Sequence, residues 1–320
     1  MNFMNKDELS VNCSNGFFFS ASDFYKSVFG KKVYKIAIDA GCSCPNRDGT
    51  KGTGGCIFCS QKGSGEFSQK KELSVSQQIE NGKLLVKSKT KDNSYIAYFQ
   101  NFTNTYGDSK SLIKKYYEAL ECKDIAGISI ATRPDCISDE ILEGLKLISE
   151  KNFVMLELGF QTCNEISAKY INRCYENPVY DECVLRIRKE CPEIHIITHV
   201  IFGLPGETER DMLNTIKYVV DSKVHGIKIS VLHVLKFTKL YDDYMAGNFK
   251  CLSMEAYFNI LGKAINMIPP GMVIHRVTGD GAKYLLVAPE WTADKKKVLN
   301  AMKKNFTENN IKQGSFKLKT

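Results

Sequence analysis

No run of about 18 apolar residues occurs in the 320-residue chain, so no membrane-spanning helix is expected. The opening stretch, Met-Asn-Phe-Met-Asn-Lys-Asp-Glu-Leu-Ser, lacks the apolar segment of a secretory signal, which predicts a cytoplasmic protein. Without export, the twelve cysteines are not a disulfide framework, because cytosolic thiols are kept reduced. There is no internal repeat and no low-complexity linker, which excludes repeat arrays and strings of tethered modules. At 43% hydrophobic and 25% charged, the composition is that of an ordinary soluble chain, long enough for one α/β barrel. The net charge of +8 suits either a solvated lysine-rich surface or a polyanionic partner such as RNA. The basic residues thicken near the end, at Lys295, Lys296, Lys297, Lys303, Lys304, Lys312, Lys317 and Lys319.

Three cysteines carry the most information. Cys44, Cys56 and Cys59 lie in Cys-Pro-Asn-Arg-Asp-Gly-Thr-Lys-Gly-Thr-Gly-Gly-Cys-Ile-Phe-Cys. Three clustered thiolates can hold three corners of a cubane iron–sulfur cluster, leaving the fourth iron open to a ligand. A closed zinc site needs four ligands, and Cys42 would supply the fourth. The other cysteines are scattered and read as small buried hydrophobes.

Short β-branched runs alternate with amphipathic stretches. Strands are predicted over 33–39, 95–100, 127–132, 153–158, 194–202, 226–231 and 272–275. Helices are predicted over 75–87, 109–121, 139–150, 179–190, 209–221 and 254–267. Ser138 is the expected N-cap of the third helix. Pro178 and Pro192 bracket the fourth. This alternation implies parallel strands with helices outside, in a partial or open (β/α)6 TIM-like barrel. The predicted organisation is an N-terminal extension over 1–29, the barrel over 30–275 and a basic helical extension over 276–320. In such folds chemistry gathers at the C-terminal ends of strands. The unusual residues fall there: Gln100-Asn101-Phe102-Thr103-Asn104, Thr132-Arg133-Pro134-Asp135, Glu157-Leu158-Gly159-Phe160-Gln161-Thr162 and Gly203-Leu204-Pro205-Gly206-Glu207. His199, Lys228, His233, His275 and Arg276 also sit near strand ends, where a histidine is either a satisfied core residue or a catalyst.

The cysteine loop, with Phe58 just before its last cysteine, and the βα cadence resemble the radical S-adenosylmethionine (SAM) superfamily. The loop together with Tyr98-Phe99-Gln100, the strand-end motifs and His275-Arg276 resembles, more narrowly, the elongator-like bacterial YhcC/YtqA type over residues 30–290. The resemblance implies that Cys44, Cys56 and Cys59 hold a [4Fe–4S] cluster. SAM would chelate its open iron, and one-electron cleavage would give a 5′-deoxyadenosyl radical that abstracts a substrate hydrogen. Many members bind the methionyl amine with a Gly-Gly-Glu-like motif, which this chain lacks. Gln100, Asn101 and Thr103 stand there instead, and their oxygens can accept from an ammonium. Thr132 and Arg133 are further candidate cofactor contacts, and Gly203, Leu204 and Pro205 would offer backbone groups to the adenine. The strand period of two puts Glu157 and Gln161 on one face, for the ribose hydroxyls or the substrate. For Glu157 the alternative is a structural ion pair with Arg133 or Lys228. Lys228 and Arg276 would anchor a substrate phosphate or carboxylate.

By this resemblance the substrate is the wobble uridine of tRNA, whose carboxymethylaminomethyl group would lose its carboxymethyl part. The partners would be tRNA and an electron donor such as flavodoxin or ferredoxin, with no membrane. Two alternatives stay open: a radical enzyme acting on a small molecule such as a tetrapyrrole, and a non-enzymatic zinc-binding scaffold.

Overall fold

The computed structural model describes residues 13–316 apart from 64, 67, 90–92 and 280. Lys317 and Lys319 lie outside the described residues. The strands are β1 (Tyr34–Ile38), β2 (Tyr95–Phe99), β3 (Ile125–Thr132), β4 (Phe153–Gln161), β5 (His195–Phe202), β6 (Gly226–Val231), β7 (Val234–Leu235), β8 (Val273–Arg276) and β9 (Leu286–Ala288). The helices are α1 (Ala21–Phe29), α2 (Val75–Val86), α3 (Ser109–Glu121), α4 (Asp139–Ser149), α5 (Glu165–Tyr170), α6 (Asn177–Glu190), α7 (Glu209–Asp221), α8 (Lys239–Met245), α9 (Met254–Met267) and α10 (Lys295–Glu308).

Seven strands form one sheet in the order β1-β2-β3-β4-β5-β6-β8, each pair parallel. On a flat sheet, side chains of β1 and β6 would stand about 24 Å apart, five strand spacings of about 4.8 Å. Here Lys35 of β1 and Lys228 of β6 bond the same carboxylate, Glu157 of β4, so the sheet is strongly curled. It is a half-barrel whose two edges are β1 and β8. It holds the seven predicted strands in the expected partial, open barrel, and β8 joins β6 directly. The short β7 pairs instead with β9, antiparallel, in a separate ribbon.

The alternation of β4 illustrates the layers. Leu156, Leu158 and Phe160 face outward into the main core beneath the helices, with Ile130, Ile196 and Val200 from neighbouring strands. Met155 and Glu157 face inward and are fully buried. A second apolar cluster closes the N-terminal end of the barrel. There α1, unmarked in the sequence reading, sets Phe24 against Phe153 and His195. Its start is fixed by a capping box between Ser20 and Asp23. Ser138 caps α4 as expected, and Pro178 lies in the first turn of α6.

Candidate active site

The loop between β1 and α2 brings Cys44, Cys56 and Cys59 to the wall of one cavity of about 300 Å3. Gly55 makes this loop possible: its φ is +77°, and a Cβ there would come within 2.8 Å of Arg47 Nε. Asn172, after α5, clamps the loop by donating to the carbonyls of Thr53 at 3.2 Å and Gly55 at 2.8 Å. Asn46 donates to the Asn172 carbonyl and to the Cys56 sulfur, the latter at 3.6 Å. The Cys59 thiol, against the cost of burial, and the nearby Arg133 and Arg47 charges hold Cys56 below the ordinary thiol range. Cys42 stands apart: it packs against the apolar core, and burial pushes its thiol up to about 11.

Among the described residues no three His, Cys, Asp or Glu side chains converge on a single-ion site. A cubane cluster does not require that, since each thiolate ligates its own iron. Three thiols on one cavity wall with room in front of them fit a three-cysteine cluster; the Cys56–Cys59 hydrogen bond lowers the first thiol and raises the second.

Of the candidate residues, Gln100, Thr103, Thr132, Arg133, Glu157 and Gln161 line this cavity. Gln161 holds a left-handed φ of +67°, beside the β-bulge that offsets β4 from β5. Asn101 does not line the cavity: its amide donates to Asp39 at 2.5 Å and its oxygen accepts from Ser68. Gly203, Leu204 and Pro205 also lie outside the lining, with Leu204 buried against Ile57, Leu232 and Leu240. Arg133 forks onto Asp135 at 2.9 Å and donates to the Arg173 carbonyl. It is therefore not the ion-pair partner of Glu157.

Glu157 is the hub. Its Oε1 accepts from Lys35 Nζ at 2.5 Å and Ser129 Oγ at 2.7 Å. Its Oε2 accepts from Tyr98 at 2.8 Å, His199 Nε2 at 2.9 Å and Lys228 Nζ. Burial alone would raise its carboxyl, but Lys228, Lys35 and His199 override this and hold it well below the carboxylate range. The two lysines respond in opposite directions. Burial opposes the charge on Lys35, yet Glu157 raises its amine above the ordinary value. For Lys228 burial prevails, aided by Lys35 and Arg276, and its amine falls well below the usual range. Burial and the Lys228 charge likewise hold His199 down to about 4.

Beside this hub lies a second chamber of about 300 Å3, bounded by Lys35 and Ala37 of β1, His275 and Arg276 of β8, Lys228, and Ala21 and Tyr25 of α1. It occupies the gap between the two sheet edges. Tyr98, Gln100 and Arg276 line both chambers, so the two adjoin.

Lys35, Ser129 and Arg173, which the sequence did not single out, are structural partners of these. Lys35, Ser129 and Tyr98 complete the Glu157 hub. Arg173, fully buried, ties the carbonyls of Phe160, Thr162 and Tyr175 together next to the Asn172 clamp.

The Radical SAM superfamily signature matches residues 48–219, and the Radical SAM C-terminal domain matches residues 224–308. This chain belongs to the radical SAM superfamily. It is 42% identical to YtqA of Bacillus subtilis (strain 168) over 288 residues, covering 90% of this chain and 89% of that one. It is 33% identical to YhcC of Escherichia coli (strain K12) over 264 residues, covering 82% and 84%. In fold it is similar to Elp3 of Methanocaldococcus infernus, with a TM-score of 0.63 at 15% identity, covering 88% of this chain and 64% of that chain. The family is enzymatic, uses a [4Fe–4S] cluster and SAM, and needs a reductant. That membership sets aside the zinc-scaffold alternative. The superfamily match begins after Cys44, which rests on its place in the same cavity wall as Cys56 and Cys59. Among the described residues no helix is long and apolar enough to cross a membrane.

Proposed function

We propose that this enzyme modifies the wobble uridine of tRNA by oxidative removal of the carboxymethyl part of a carboxymethylaminomethyl side chain: SAM would take up the two electrons on conversion to methionine and 5′-deoxyadenosine, and water would release the two carbons as glyoxylate, leaving an aminomethyl group. The observation that carries this reading is the charge balance of the hub. Lys35 and Lys228 share one carboxylate, Glu157, at the junction of the two chambers. Two lysines sharing one carboxylate leave a site for a second anion. A substrate carboxylate there would restore the charge on Lys228 and lie beside the cysteine cavity. A chamber of about 300 Å3 suits a short side chain better than a tetrapyrrole macrocycle. RNA as the substrate class is supported by proteins named tRNA-2-methylthio-N(6)-dimethylallyladenosine synthase. The one from Thermotoga petrophila is 30% identical over 163 residues, half of this chain and 36% of that one.

Cys44, Cys56 and Cys59 would hold the cluster. When bound, cluster and SAM supply a 5′-deoxyadenosyl radical that removes a substrate hydrogen. Gln100 and Thr103 offer oxygens to the methionyl amine, while Thr132 and Gln161 face the nucleoside part of SAM or the substrate. Arg133, locked to Asp135, keeps positive charge beside Cys56. Lys228 and Arg276 hold the substrate carboxylate. Glu157, with both oxygens engaged, is a positioning residue that fixes Lys35, Lys228 and His199. An external one-electron donor such as flavodoxin or ferredoxin would reduce the cluster. Nucleoside mass spectrometry of tRNA from a deletion strain tests the reading. Carboxymethylaminomethyl-type uridine should accumulate and aminomethyl-type products should fall, whereas an unchanged wobble-uridine profile refutes it.

A further inference from the structure

The β7–β9 ribbon has two unlike sides. Inward, His233 and Leu235 on one limb and Gly281 and Ala282 on the other line the cysteine cavity. At its tip, outward, stand Phe237, 77% exposed, and Tyr284, 65% exposed. Leu235 pairs with Leu286 and the Lys236 N–H donates to the Leu285 carbonyl at 2.8 Å, and beyond this end of the ladder each limb turns, one at Phe237 and the other at Tyr284. Two large aromatics this exposed at one end of a ribbon point to something that covers them. Phe237 also holds a left-handed φ of +65°, unusual for a bulky residue, in the turn closed by Thr238 Oγ1 donating to the Leu235 carbonyl at 2.8 Å. Lys236, Lys239 and Lys283, all exposed, flank the pair. Asp243, on the adjoining helix, already accepts from the Tyr170 hydroxyl.

Two exposed aromatic faces at one ribbon end, flanked by lysines, match the chemistry of an unpaired RNA segment, whose bases stack while its phosphates meet the cations. We propose that the ribbon tip is a stacking platform for the unpaired bases of an RNA loop, holding that loop over the mouth of the cysteine cavity. The inference rests on the tRNA reading above and adds where the RNA is held. Duplex RNA, with its bases already stacked, does not fit this platform.

The test uses the anaerobically reconstituted holoenzyme and a synthetic stem–loop RNA of anticodon-arm size, with a blunt RNA duplex of equal length as control. Wild-type protein should prefer the stem–loop. Phe237→Ala and Tyr284→Ala should each weaken stem–loop binding about tenfold or more, while duplex binding barely moves. Phe237→Trp should retain binding. Phe237→Gly, which suits the left-handed backbone, should keep or raise the unfolding temperature and still lose binding, separating the platform from folding. Lys236→Ala should lower the slope of log affinity against log salt by about 0.7 if it meets one phosphate of a single strand. RNA-free release of 5′-deoxyadenosine should be unchanged, since neither aromatic lines the cavity. If wild type binds the stem–loop and the aromatic variants bind it equally well, the platform is refuted and the tRNA function stands. If wild type binds no stem–loop RNA, both fall.

Discussion

Replacing Glu157 with Gln tests the hub directly. The substitution keeps the shape and removes one negative charge that five donors share. Whichever way the amide turns, its NH2 points a donor at donors: Lys35 and Ser129 on one side, or Tyr98, His199 and Lys228 on the other. Removing one partner of a buried ion pair costs about 3–5 kcal/mol, because the other charge stays buried. The lower end applies here. Lys35, the lysine whose charge Glu157 sustains, has a side chain 23% exposed and can partly reach water, whereas the Lys228 amine is already poorly charged. At roughly 2 °C per kcal/mol for a chain of this size, about 3 kcal/mol lowers the unfolding temperature by about 6 °C. The double variant Glu157→Gln/Lys35→Met should recover more than half of that loss, because no uncompensated charge remains at Oε1. Urea denaturation of wild type, both single variants and the double variant closes the cycle. A Glu157→Gln protein within about 1 kcal/mol of wild type, or strictly additive single effects, would show that Glu157 is not paired as argued.

Cys44→Ala, Cys56→Ala and Cys59→Ala should each lose most bound iron and release of 5′-deoxyadenosine from SAM, while Cys42→Ala should keep both. Iron analysis decides, and loss of iron in Cys42→Ala would overturn the three-ligand assignment. His199 is held neutral, near 4 against 6.5 when unfolded, so the unfolded chain binds the extra proton between those values. Its contribution is fully present above pH 6.5 and is lost as pH falls toward 4. The shift corresponds to about 3 kcal/mol, discounted to about 2 because the ring is 30% exposed. His199→Gln should flatten that part of the stability–pH curve, and an unaltered curve would remove His199 from the account.

The fold was legible because its signals are local. The predicted strands and most predicted helices follow from apolar periodicity, and Ser138 and Pro178 mark their helix starts through chemistry confined to a few residues. The failures share a cause. α1 and the β7–β9 ribbon are short, and only contacts with distant segments stabilise them: Phe24 against Phe153, and Leu235 against Leu286. Lys35 shows the limit most clearly. In Tyr34-Lys35-Ile36-Ala37-Ile38 a lysine reads as the solvent-facing position of an edge strand. It reaches Glu157 because the sheet curls, and curvature is not written in one strand's sequence. Arg133 shows the converse. At the end of β3 it looked able to pair with Glu157 on β4, but Asp135, two residues on, captures it locally.

The hub also explains why a half-barrel suits this chemistry better than a closed one. Closure would bring β8 against β1 and fill the gap where Lys35, Ala37, His275 and Arg276 now border a chamber. Lys35 and Lys228 would then be sealed in while sharing Glu157, at a larger desolvation cost. Left open, the gap keeps Lys35 and Lys228 within reach of a ligand, and under the proposed function one carrying a carboxylate would be favoured over its neutral analogue. The proposed reaction removes that carboxylate-bearing part. Its aminomethyl product no longer fits the electrostatics that held the substrate, and product release is favoured by the same lysines that secured binding.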